Sequence, residues 1–582
     1  MSHEEDAPRF DVNRRKIVKS LGIAGVAGLA GCSGGGDSTA TEGSGGDTDT
    51  GTESDTATDT ETETATPADA SQVQMGGELI ATFGADVKNF DPTQQNDTTS
   101  TKAFGLVYEG LLSVDFSGKP RRTLATTFEQ TDEDLTWRAE LREGVQFHNG
   151  TELTAQDVKA TFERYEGTPR EVDVYQWYDS SEVVDDYTLD ITLQEQYAPL
   201  EYSVAAVPIV PAAVAEGELD LTEDPVGTGP YTFVEHQPDS LFRIERNPDY
   251  WFEPEDDMPD QPPIETVTFR VITEQSAQLA ALRGGDVDLI NNIPASSYSD
   301  IRSNEEFTLT ERVEGGFDMF IFPMDVTPFD NAKVRRGVAR LIPREAIVKS
   351  VYSGINQPAY APISPLAEQF TSREFQQEMA EEFTGYDPEA ARQLLSEGFE
   401  EAGVSRPFST TAITNQNPQR VKWTQLIVES LNGTEFFDVS LDQFEWNTYV
   451  GRVLAEDSSQ QNNLMALGWS AGWDPDNYVY NLFHSNQFTP ACCNAAHYAV
   501  DEVDSMIDEA LRTYDTEERA GLYEDIQRRI VADSPMAFIS FGKAMDAFRA
   551  ETVKGFSTYP IDGDEYKGVY APSAGRFTYV DR

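Results

Sequence analysis

The chain has 582 residues, with 43 basic against 102 acidic side chains and a formal net charge of −59. That length exceeds one compact core and predicts two or three domains. The charge excludes a nucleic-acid partner, because phosphate binding needs basic clusters. Spread along the whole chain, it predicts a halophilic protein, since at low ionic strength such a charge would repel itself over a long Debye length.

The first segment, "NRRKIVKSLGIAGVAGLAGC", carries Arg14 and Arg15, then an apolar run that ends in Leu29-Ala30-Gly31-Cys32. The run of about twelve residues is too short to span a bilayer. It resembles a twin-arginine export signal joined to a lipobox. That resemblance implies a signal peptide over 1–31, cleavage before Cys32 and a lipid on its sulfur. Residues 32–76, rich in Ser, Thr, Gly, Asp and Glu, have almost no apolar side chains and are predicted to be a disordered tether. Within this region Gly31-Cys32-Ser33-Gly34-Gly35 matches G-x-S-x-G, but no strand precedes it and no helix follows, so it is not read as a nucleophile elbow. No other segment is long and apolar enough to cross a bilayer.

From Gly77 onward the chain mixes strands and helices. "GELIATFG" and "TVTFRVI" (266–272) alternate as strands do. "LTAQDVKATFERY" predicts a helix capped by Thr154, with Asp157 at the reciprocal position. "DPEAARQLLSEGFEEAG" predicts another, with Asp387 as cap, Pro388 at the first helical position and Gly403 near the end. "DEVDSMIDEAL" places Val503, Ile507 and Leu511 on one stripe. The expected class is α/β.

Candidate chemistry is sparse. His148, in "LREGVQFHNG", has Glu143 and Glu152 nearby but no second His or Cys, so it reads as scaffold. His484, Cys492, Cys493 and His497 are soft ligands, yet H-x7-C-C-x3-H matches no zinc module. No metal and no other cofactor is expected. The adjacent cysteines would contact ligand or form a vicinal disulfide. The sequence holds no H-E-x-x-H and no G-x-x-x-x-G-K-[ST], so an enzyme is not expected, and a secreted hydrolase is the rival reading. Sequons stand at Asn96, Asn149 and Asn432.

Seven stretches then point one way. "LTWRAELREGVQFHNGTELTAQDVKATFERY" (135–165) resembles the signature of family 5 extracellular solute-binding proteins, which serve peptide and nickel ABC importers. "VGTGPYTFVEH" (226–236), "NPDYW" (247–251), "LRGGDVDL" (282–289), the stretch 328–365, "YDPEAARQLL" (386–395) and "GWSAGWDPDNYVYNLF" (468–483) follow in the family's order. The resemblance implies a periplasmic-binding-protein-like, type II Venus-flytrap fold with ligand held between two lobes. Lobe I would comprise 77–112, 225–314 and 536–582, an extra subdomain 113–224, and lobe II 315–535. It further implies a receptor on the extracellular face of the cytoplasmic membrane. Such a receptor would be lipid-anchored through Cys32 and would deliver a peptide, or a nickel complex, oligosaccharide or other polar metabolite, to a permease with cytoplasmic ATPases.

A cleft of this kind is lined by aromatics with a few placed polar groups, which nominates Trp446, Tyr449, Trp469, Trp473 and Asp474. Core packing is the competing role for each aromatic. Peptide-binding relatives typically place an Asp three residues after the first Trp to hold the peptide ammonium. Here that position is Gly472, and Asp474 is the candidate replacement. Relatives also carry an Asp before Arg344. Its absence reads as a lost helix cap.

Overall fold

The computed structural model describes residues 73–582 apart from 96, 254–257, 292 and 562. Arg14, Arg15, Cys32, most of the tether and the sequon residue Asn96 lie outside the described residues.

Lobe I is built on a four-stranded sheet in which Glu78–Phe83 pairs parallel to Thr266–Val271, followed by Leu241–Arg246 and Tyr231–Gln237. Phe83 and Phe269 stack on it with ring centroids 4.4 Å apart. The expected subdomain holds an antiparallel sheet, Ala125–Gln130, Thr136–Leu141, Thr188–Leu193 and Tyr178–Asp185. The helix Ala155–Glu163 packs on it with the predicted capping box of Thr154 and Asp157.

Lobe II is a six-stranded mixed sheet. Its centre, Gly316–Ile321, lies between Asn463–Ser470 and Met536–Phe541. The helix Pro388–Ala402 has Asp387 accepting from two backbone N–H groups and ends at Gly403 in the left-handed region, as its sequence predicts. Arg344 follows Pro343, which offers no side-chain cap. The guanidinium is buried instead, donating to the carbonyls of Ala359, Phe538, Ala339 and Thr384.

Two strands carry the chain between lobes. Phe307–Val313 leads out of lobe I, and Lys543–Arg549 pairs with it on the way back. Met536–Phe541 still belongs to the lobe II sheet. The return crossing therefore falls at Gly542 rather than after residue 535.

His148 ties the subdomain to lobe I. Gly227 N–H donates to its Nδ1 at 3.3 Å, and its Nε2 lies 3.0 Å from the Gly229 carbonyl oxygen. With Nδ1 accepting, Nε2 carries the proton and the ring is neutral. Burial holds it below the ordinary histidine range. The two glycines are needed because a Cβ at Gly227 would lie 2.1 Å from the Val107 carbonyl oxygen.

Candidate functional site

Trp473 is where the three parts of the molecule meet. It leaves lobe II on the loop after Asn463–Ser470 and enters a cluster of Val114, Phe116, Leu366, Tyr559 and Ala571. Val114 and Phe116 come from the hairpin entering the subdomain, and Tyr559 and Ala571 from the C-terminal part of lobe I. The Trp473 indole N–H donates to the Tyr559 hydroxyl at 3.1 Å, and that hydroxyl donates to the Val114 carbonyl at 3.1 Å. Phe116 meets Tyr559 edge-on, with centroids 5.1 Å apart. The indole lies on Gly118, where φ is +79° and an added Cβ would stand 2.4 Å from a ring carbon. Glycine fits both demands, the left-handed backbone and the close approach.

Asp474, next in sequence, is paired within the protein. Its two oxygens accept from Arg519 at 2.6 and 2.9 Å in a buried bidentate pair. Asp476 opens the helix Asp476–Phe483, and its Oδ1 is buried without a hydrogen-bond partner among the described residues. Burial, then the neighbouring Asp474, push its carboxyl up to about 7.

The remaining nominated aromatics do not gather with Trp473. Tyr449 is fully buried in the lobe II core, its hydroxyl donating to the Ala466 carbonyl. Trp446 packs at the edge of that core, 6.4 Å from Tyr449 between centroids. Trp469 pairs in register with Phe317, and its indole N–H donates to the Asn477 carbonyl at 2.7 Å. Tyr449 is thus a core residue, while Trp446 and Trp469 are half-buried against lobe II.

Cys492 and Cys493 form a vicinal disulfide. His484 accepts from Asn486 N–H, while His497 lies between Asp325 and Thr489 and stacks on Phe488 at 4.6 Å. Among the described residues no group of three or more His, Cys, Asp or Glu could hold a metal.

Two cavities bear on ligand placement. One of about 760 Å³ opens beside the Trp473 cluster, sharing Ala571 with it and lined also by Arg121, Ser113, Lys567 and Ser573. That volume suits a small solute. A larger one, about 1030 Å³, is walled mainly by lobe II around Arg344 and Tyr360. None of the nominated aromatics lines it.

The family model for bacterial extracellular solute-binding proteins, family 5, matches residues 119–490. The chain belongs to family 5 of the extracellular solute-binding proteins. It is similar to the glutathione-binding protein GsiB of Pectobacterium atrosepticum, 26% identical over 499 residues that cover 84% of this chain and 93% of that protein. In fold it is similar to the substrate-binding protein CtaP of Listeria monocytogenes, with TM-score 0.74, 23% identity and coverage of 88% of this chain and 100% of that one. The oligopeptide-binding protein AppA of Bacillus subtilis, solved with a nonapeptide, matches with TM-score 0.66, 24% identity and the same coverage.

The two-lobed α/β fold of family 5 is therefore the fold of this chain, and its role is that of a substrate-binding receptor of an importer. Sequence reasoning nominated Trp473 through its motif and did not single out Phe116, Gly118 and Tyr559, against which it packs. No local pattern marks them, because the cluster is assembled from segments over 440 residues apart, as the Tyr559 to Val114 hydrogen bond shows. Arg519 was missed for a similar reason: an arginine near the start of a helix is ordinarily solvated, and only the fold reveals this one as buried.

Proposed function

We propose that this receptor captures a short peptide, or a polar solute of similar size, between its lobes and presents it to a membrane permease while tethered through lipid on Cys32. The observation that carries the reading is Trp473 seated across the lobe junction on Gly118 and Tyr559. A side chain from one lobe that packs on the other two parts couples ligand capture to hinge closure. Family 5 membership and the glutathione- and peptide-binding relatives support the ligand class. The twin-arginine pair Arg14 and Arg15, and the acidic composition, support export of a folded protein into salty surroundings. No bond is made or broken in this cycle.

Extraction of small molecules from protein purified in molar salt, identified by mass spectrometry and returned in titration calorimetry, tests the reading. A bound peptide or comparable solute is expected. Formation of cleavage products from added peptides, with nothing bound, would favour the hydrolase reading instead.

A further inference from the structure

The strand Phe307–Val313 carries alternating side chains to opposite faces. Thr310 faces the C-terminal part of lobe I, where its hydroxyl meets that of Thr558 at 2.7 Å. Glu311 faces the other way, bound to Lys543 and Tyr298. Arg312 therefore shares the Thr310 face and points to the neighbourhood of Tyr559. A second guanidinium comes from Arg576, register partner of Ala571, with its carbon 5.9 Å from the centroid of Phe116. The two arginines thus converge on the Phe116–Tyr559 pair on which Trp473 closes.

Neither guanidinium has a hydrogen bond or an ion pair among the described residues. This is an unusual arrangement in a chain of net charge −59. Two acids, Glu368 and Asp115, act on Arg312 from nearby, and neither forms an ion pair with it. Asp115 is held by Arg121 at 2.6 Å and by Ser117 at 2.7 Å, while Glu368 is exposed on lobe II. Burial and the proximity of Arg576 both hold Arg312 below the ordinary arginine range. Two half-buried, mutually repelling donors beside an aromatic floor are the complement of an anion: a carboxylate would accept from both and remove the repulsion.

Resting on the receptor reading above, we propose that Arg312 and Arg576 are the anion-binding end of the ligand cleft, so that the transported solute carries a carboxylate clamped between them. The aromatic cluster then takes the adjoining apolar part, and closure of Trp473 shields the ion pair from solvent.

The test uses the mature chain in molar salt. Titration calorimetry would compare glutathione with its diethyl ester, and the tetrapeptide Ser-Thr-Ser-Ala with its C-terminal amide, on wild type and on Arg312→Gln, Arg576→Gln and the double variant. The free acids should bind wild type at least about tenfold more tightly, and the preference should disappear in the double variant. Arg576→Lys should retain part of it, and thermal melts establish that each variant is folded. Equal binding of acid and neutral forms by wild type, or a preference that survives in the double variant, overturns the proposal while leaving the receptor reading intact. If wild type binds none of the four and carries no co-purified solute, the receptor reading falls and this proposal with it.

Discussion

Asp474 and Arg519 form a bidentate ion pair at 2.6 and 2.9 Å, with side-chain exposures of only 2% and 5%. A carboxylate so engaged is not available to a ligand ammonium, although its position after Trp473 nominates it for that task. Removing one partner of a buried pair strands the other, at a cost of about 3–5 kcal/mol. Asp474→Asn should therefore lower the unfolding midpoint markedly in chemical denaturation.

With Gly472 at the position where the resemblance implies an anchor, and Asp474 paired to Arg519, neither position offers a carboxylate to an ammonium group. Acetylating the amino terminus of a bound peptide should cost less than about tenfold in affinity, roughly 1.4 kcal/mol. Calorimetry on free and acetylated forms measures this. A larger loss would mean that another acid holds the ammonium.

Trp473 should matter more. Its indole joins lobe II to Gly118 and Tyr559, so Trp473→Ala removes aromatic packing across the closing surface, worth about 0.5–1.5 kcal/mol per ring pair beyond area burial. Affinity should fall about tenfold or more for every ligand tested, with a smaller change in melting temperature, since the lobe cores are untouched. Gly118→Ala should act in the same direction by pushing the ring away.

The contrast between these residues shows what sequence conveys. Local features were legible: the capping box of Thr154 and Asp157, the Asp387 cap, the left-handed stop at Gly403, and His148 as scaffold. These depend on residues a few positions apart, or on one motif. The lobe boundary at Gly542 was missed because Met536–Phe541 is uniformly buried and reads alike in either lobe. Tyr449 looked like a ligand aromatic and lies in the core. Nothing in composition separates an aromatic that fills a lobe from one that packs across the junction; only the long-range pairing of segments does.

Asp476 gives a pH dependence with a definite sign. Its carboxyl is raised to about 7 by burial and by Asp474, so the folded state holds the proton more tightly than the unfolded chain. The contribution to stability is fully present below the ordinary carboxylate range, near 4, and is lost as pH rises through about 7. Thermal melts of wild type between pH 6 and pH 8 should show a decline that Asp476→Asn, neutral at both, flattens. An unchanged slope in the variant would assign the decline to another group.

Salt dependence pits two electrostatic effects against each other. Exposed ion pairs such as Arg138 with Asp190, and Arg528 with Glu378, hold the surface together, and salt weakens them. Each is worth only about 0–1 kcal/mol. Against them stands the mutual repulsion of a net charge of −59, which acts between many carboxylates at once. Raising ionic strength from 0.1 M to 1 M shortens the Debye length from about 10 Å to about 3 Å, enough to screen neighbours on the surface but not the buried Asp474–Arg519 pair. Relief of repulsion should dominate, so the melting temperature should climb steeply with salt. The increase should persist in Asp474→Asn, displaced downward in parallel, because salt and the buried pair act on different charges. A flat or falling salt response in wild type would mean that the surface pairs outweigh the repulsion, and would remove the halophilic reading of the composition.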